Sequence, residues 1–436
     1  MKLKSLLLLG ATAFSFNTYA QTWVADSVEM GASYANDIFY SLKNGQQKSE
    51  SNTNWHIAFQ TLPPLGANSN VSIIANHVAG KVNVYSLHLS ATAKFGALTN
   101  TDTIGKVMLY NTDTSWNFGA FNRMNDAGNP FDYSWGAYNM TSHSVVGDSL
   151  YLITINNAAY QVWVQEYKST PSDSISYRVR IADFNGNNDK TIRVYRKNGY
   201  TDRNFAYYDV VNDAIRDREP SRTAWDMVFT RAIEFVAAGP GPLQPYPVTT
   251  VYSNFGVSVA EVNDLNPSTT GYDSKPYLND IHVIGSDWKK APMGPGPWTM
   301  RDSAHYFIKT NNTNEYYQLH FTNFYGSSNG RAVFEKRKLG DVTSVKNINT
   351  SVAAYSIAPN PAVNETSIMI DAKEAAGNTA IFVTDITGKI VEKHIIKLNA
   401  GLNAFRINTS NYASGTYMVT IANGDWKATQ KLAVQH

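Results

Sequence analysis

At 436 residues the chain is too long for one ordinary core and divides into two to four domains. Hydrophobic residues are 43%, aromatics 12% and charged residues only 17%, with a net charge of +2. That balance excludes a disordered chain and leaves no field that would favour nucleic acid or acidic membranes. Cysteine is absent, which excludes thiol catalysis, iron–sulfur clusters, cysteine zinc sites, disulfides and a lipoprotein anchor.

Residues 1–20 read as a signal peptide, with Lys2 and Lys4 before an apolar run from Ser5 to Phe16 and Thr18-Tyr19-Ala20 before Gln21. The run falls short of the roughly 20 residues that span a bilayer, so cleavage after Ala20 is expected rather than an uncleaved anchor. No other apolar stretch approaches that length, and the mature chain is expected to have no transmembrane segment. From residue 21 to 340, short alternating runs such as 82–89, 176–181 and 191–195 are punctuated by turn signals. Asn44-Gly45, Asn185-Gly186, Asn198-Gly199 and Asn329-Gly330 are turn dipeptides, because Asn and Gly tolerate positive φ. No sustained helical period occurs, so the region reads as β.

Two five-residue stretches lie 170 residues apart: Trp55-His56-Ile57-Ala58-Phe59 and Trp225-Asp226-Met227-Val228-Phe229. Strand alternation would put Trp, the aliphatic residue and Phe on one face. Residues 38–42 match 205–208 upstream; residues 151–157 and 160–164 match 306–312 and 317–321 downstream. The same order in both halves predicts two tandem β modules, 21–197 and 198–340. A small polar stretch at 341–354 reads as a linker. Residues 355–436 hold regularly spaced short strands with a turn at Asp385-Ile386-Thr387-Gly388-Lys389, as in an immunoglobulin-like β-sandwich. The expected fold class is all-β: two antiparallel β modules and a C-terminal sandwich.

On Pro359-Asn360-Pro361, Asp385-Ile386-Thr387-Gly388-Lys389, Leu402-Asn403, Ser414-Gly415-Thr416-Tyr417 and the terminal Lys431-Leu432-Ala433-Val434, residues 355–436 resemble the type A sorting domain of the type IX secretion system. That resemblance implies export across two membranes by the type IX machinery, cleavage near the linker, and release or attachment at the cell surface. Residues 21–340 resemble the HmuY family, most clearly in the second module. The matching residues are Trp225-Asp226-Met227-Val228-Phe229, Val283-Ile284-Gly285-Ser286-Asp287-Trp288, Gly294-Pro295-Gly296-Pro297, and 306–309 through 321–324. The resemblance implies non-catalytic haem capture.

The family's haemophore clamps haem iron between two histidines, and some relatives use methionine. One ligand sits five residues after a Trp and before a Gly-Pro turn, which falls on Met293 after Trp288. The same offset from Trp135 gives Met140 in the first module. A thioether is a soft axial ligand to haem iron. For the other ligand, residues 230–281 contain neither His nor Met, so His282 is the first candidate.

His305 and His320 flank one expected hairpin and could approach each other, although polar-strand histidines are usually solvated. His56 reads as exposed or bonded to a neighbour. Residues 183–189 offer oxygens like a calcium loop, but their Gly is at the fourth position and Val194 stands at the twelfth, so a tight turn fits better. Metalloprotease, serine-hydrolase, P-loop and dinucleotide motifs are absent from the sequence. The expected function is a secreted or cell-surface, non-catalytic ligand-binding protein without a catalytic or separate metal site. Haem or a related tetrapyrrole is the leading ligand, a surface adhesin or glycan-binding protein the alternative, and a secreted hydrolase the third reading.

Overall fold

The computed structural model describes residues 22–436 except 62–70, 169–175, 342–351, 127, 130, 140, 143, 238, 293, 295, 312, 314, 374, 424 and 425. The signal peptide, most of the linker, Met140 and Met293 therefore lie outside the described residues. Strands take up 54% and helix 5%, all sheets are antiparallel, and the all-β expectation holds.

Sandwich one sets a four-stranded sheet against an eight-stranded one. The smaller runs Ala214–Arg216, Phe205–Asp209, Ile57–Gln60, Ile73–Ala75. The main path of the larger runs Lys190–Tyr195, Ser176–Asp183, Ala158–Lys168, Ser149–Ile155, Val82–Ser90, Val107–Leu109. Ile57, Phe59 and Ile73 from one sheet meet Val84, Ile153, Val162 and Val179 from the other. In sandwich two the smaller sheet runs Gln244–Ser253, Met227–Val236, Asn36–Ser41, Gly45–Ser51. It faces a five-stranded sheet, Val24–Glu29, Arg331–Asp341, Glu315–Phe324, Ala304–Lys309, Ser258–Asn263, over a core containing Tyr40, Phe229, Tyr306, Phe321 and Phe334.

The sandwiches do not follow a division at residue 197. Strands Val24–Glu29, Asn36–Ser41 and Gly45–Ser51 complete sandwich two, whereas Phe205–Asp209 and Ala214–Arg216, from beyond residue 197, complete sandwich one. Three strands of the first repeat and two of the second have changed places. The chain starts in sandwich two, builds all of sandwich one, and returns.

The repeat extends to single hydrogen bonds. Ahead of the first motif strand, the His56 N–H donates to Tyr208 O, and His56 Nδ1 accepts the Val210 N–H at 3.1 Å. At the matching place the Asp226 N–H donates to Tyr40 O, and Asp226 Oδ2 accepts the Leu42 N–H at 2.7 Å. Asn76 Nδ2 donates to the carbonyls of Asn52 and Trp55, and Asn254 Nδ2 to those of Arg222 and Trp225. These bonds change the expected facing of the motif. The strands begin at Ile57 and Met227, and the preceding residue turns inward to bond the neighbouring strand, so the alternation slips by one. Ile57/Phe59 and Met227/Phe229 enter the sandwich cores, while Trp55 joins Ala58 and Trp225 joins Val228 on the opposite faces.

The C-terminal unit is a sandwich of three strands (Val352–Ala358, Glu365–Ala372, Gly401–Asn408) over four (Ile390–Leu398, Ala376–Asp385, Gly415–Asn423, Trp426–Val434). Ile368, Ile370, Ile381, Val383, Val419 and Ile421 fill its core. Its outer face meets sandwich one: Met369 and Leu402 join that core cluster, and the Tyr138 hydroxyl donates to Leu402 O at 3.0 Å.

Candidate functional site

Two concavities have chemistry worth weighing. The first lies between the small sheets of the two sandwiches, where Trp55 and Tyr207 meet edge to face at 4.9 Å and Phe39 and Trp225 at 5.1 Å. Loop 113–116 ties the two together. Trp116 Nε1 donates to Ser253 O at 2.8 Å, Asp113 Oδ2 accepts the Phe235 N–H, and Thr114 O accepts the Ile281 N–H. Buried Arg218 pairs with Asp37 at 2.8 Å and stacks over Trp55 and Tyr207. Burial pushes the Glu219 carboxyl up to about 7, against hydrogen bonds from the Tyr207 hydroxyl and the Asn204 N–H. The cavity is only about 80 Å³. That is too small for a tetrapyrrole, so this region reads as a glued interface.

The second is an open cleft of about 580 Å³ on the outer face of the five-stranded sheet of sandwich two. Strand parity builds it. Tyr306, Leu319 and Phe334 point into the core, so their chain neighbours His305, His320 and Glu335 point out. Gln318 and Arg337 share that outer face, and Trp23 precedes the first strand. The His305 and His320 rings are 4.7 Å apart, and Trp23 meets His320 edge-on at 4.6 Å. Arg337 lies 4.3 Å above the Trp23 ring and donates from Nε and Nη2 to Gln318 Oε1 at 2.9 and 2.6 Å. That fixes the Gln318 amide, whose Nε2 then donates to His305 Nδ1 at 3.3 Å.

The two imidazoles differ in availability. His305 is 5% exposed, and burial followed by the neighbouring His320 brings it down to about 4. The His320 side chain is 19% exposed; its Nε2 lies 3.5 Å from Glu335, and its buried Nδ1 has no hydrogen-bond partner among the described residues. Burial lowers its pKa too, against the pull of Glu335. Both rings are thus neutral at neutral pH, the form that can offer a lone pair to a metal. Among the described residues no group of three or more His, Cys, Asp or Glu is arranged to hold a free metal ion.

Of the residues singled out by sequence, Met293 and Met140 lie outside the described residues. His282 sits in the turn before Ile284, half-buried, and lines neither concavity; its Nδ1 has no partner among the described residues. His305 and His320, weighed as solvated, are brought together and partly buried. His56 is buried and bonded. The 183–189 loop is a tight turn: Asp183 O accepts the Gly186 N–H, Asp183 Oδ2 accepts from Asn188, and Asp189 pairs with Arg180. Trp23, Gln318 and Arg337 were missed; the outward parity of 318 and 320 beside 335 and 337 was the signal available.

Residues 352–434 form a seven-stranded sandwich that follows a short polar segment. Residues 356–435 match the family model for the secretion system C-terminal sorting domain, so this part belongs to the type IX sorting family and marks the chain for export to the cell surface or beyond. The match does not extend into residues 22–341. No curated protein matches the chain. Among solved structures, dimeric latent PorU from Porphyromonas gingivalis aligns at a TM-score of 0.17 and 9% identity, over 94% of this chain and 34% of that one. The chain thus spans about a third of that protein's length, and so low a score supports no inference about fold or activity. No described helix is long and apolar enough to cross a membrane.

Proposed function

We propose that the protein is an exported, non-catalytic ligand-capture protein whose ligand occupies the His305/His320 cleft, with haem or a related tetrapyrrole as the leading ligand. The supporting observation is the neutral, partly exposed His320 imidazole in an open cleft of about 580 Å³, beside Arg337 and Trp23. That volume falls within the range of roughly 300–1,000 Å³ usual for small-molecule sites. His320 would meet the iron, His305 would hold its neighbour through ring contact, Arg337 would face an acidic substituent, and Trp23 would cover an apolar edge. Haem, when bound, would supply an iron centre able to take a nitrogen ligand. The resemblance of residues 21–340 to the HmuY family agrees with this reading, but His320 takes the role first given to Met293, Met140 or His282.

Glycan binding is the second reading, favoured by the Trp23 ring beside Asp302 and Glu335 in the same cleft. Titrating the mature chain with haemin tests the first: a saturable Soret shift is expected. Absence of a shift with both ferric and ferrous iron, together with binding to a glycan array, would transfer the cleft to the second reading. Turnover of a chromogenic glycoside would contradict both.

A further inference from the structure

The sorting domain carries an apolar stripe that its own core does not use. Strand Ile390–Leu398 ends the four-stranded sheet and pairs on one side only. The opposite end strand, Trp426–Val434, is crossed by the 360–362 segment. There the Ala362 N–H donates to Ala433 O, and the Asn360 side chain bonds Lys431 O and the Ala433 N–H. The three-stranded sheet meets sandwich one through Met369 and Leu402. Among the described residues, Ile390–Leu398 is the edge of this four-stranded sheet left uncovered.

That edge is unusually apolar. Ile386 is 79% exposed, Ile390 54%, Val391 41% and Ile395 65%, four large aliphatic side chains within ten residues. Proteins normally blunt such an edge with lysine or other charge, because its free N–H and C=O groups invite a further strand. Here Lys393 and Lys397 bracket Ile395 on the exposed face instead of replacing it. A strand added along this edge would set its own side chains opposite these three, two residues apart. Carboxylates opposite the lysines and an apolar group opposite Ile395 would satisfy all three.

We propose that strand Ile390–Leu398 is a docking edge for the component of the secretion machinery that reads this domain, and that the partner adds an extended strand carrying acidic, apolar and acidic side chains at alternate positions. Main-chain pairing gives the affinity, and the Lys393–Ile395–Lys397 pattern sets register and selects the partner. The occupant follows from the family match of residues 356–435, independently of what the cleft binds, and its acidic side chains are those that Lys393 and Lys397 would select.

The test uses the full chain expressed in its own secretion background. The double variant Ile390→Asp/Ile395→Asp changes two exposed positions, and its thermal midpoint should match the parent's. Export should fall at least tenfold with accumulation in the periplasm, while Ile104→Asp, at a site 78% exposed on sandwich one, should export normally. If the double variant loses stability, Lys393→Glu/Lys397→Glu decides, because it reverses only surface charge and should block export equally. A peptide Glu-Thr-Ile-Thr-Glu should shift the methyl resonances of Ile390 and Ile395 in the full chain. Parental export of the folded variants, equal loss in the Ile104→Asp control, or peptide shifts elsewhere would overturn the proposal.

Discussion

His56 and Asp226 do one job with different chemistry, accepting the N–H that emerges two residues past their strand partner. Burial pushes the Asp226 carboxyl up to about 6, so its stabilisation is fully present below the unfolded value and is lost as pH rises through 6. Asp226→Asn keeps an acceptor for Leu42 and removes a buried charge; denaturant unfolding at pH 8 should show equal or greater stability. His56→Leu leaves the Val210 N–H without an acceptor and should cost about 1–3 kcal/mol. Lys289 is the converse case. Its Nζ donates to Thr249 O at 2.7 Å and sits 4.2 Å from the Trp288 ring, and burial brings it down to about 7. The unfolded chain holds that proton more tightly between pH 7 and 10, so this residue makes stability rise with pH there. Lys289→Met should flatten the rise in thermal midpoint over that range. Strand parity was legible in sequence at such positions, but the slip at Trp55 and Trp225 was not. A hydrogen bond made by the intervening residue sets the phase, and hydrophobic alternation carries no record of it.

At the scale of elements, the reciprocal exchange of strands governs what can fold alone. Fragment 198–341 lacks Val24–Glu29, Asn36–Ser41 and Gly45–Ser51, and with them one of the two strand partners of Arg331–Asp341 and of Met227–Val236. It should show no cooperative melt. Joining 22–52 through a short flexible linker to 217–341 should restore one; a cooperative melt of 198–341 by itself would contradict the pairing. The duplication could be read from sequence because each half repeats the same side-chain order. The exchange could not, because alternation identifies a strand and its buried face but is silent on which equivalent partner it joins. The cleft was hidden for a related reason: His305, His320 and Arg337 have the outward parity of an ordinary solvated face, and only the sheet brings them beneath Trp23.

For the whole molecule, two sets of buried groups oppose each other near neutrality. Glu219, Asp226 and Asp371 are raised by burial to about 7, 6 and 6, and their contribution grows as pH falls. Burial lowers His56, His77, His305 and His320, and their contribution shrinks over the same range. Stability should therefore be nearly level between pH 7 and 5, with a slope below the ~1.4 kcal/mol per pH unit of one unbalanced proton. Below pH 4 it should fall, as Glu315, held near 2 by Lys338 and its other hydrogen-bond partners against burial, loses its charge. Thermal melts across pH 3–8 check both limbs.

The capture reading rests on one side chain in this frame, His320, with His305 behind it and the export tail far along the chain. Haemin titration of the full mature chain, read in the Soret band for the parent and for His320→Ala, His282→Ala and Met293→Ala, tests it most directly. The expected result is a saturable shift that His320→Ala weakens at least tenfold while His282→Ala and Met293→Ala leave it intact. A parent without a shift, or a shift that survives His320→Ala unchanged, would contradict it.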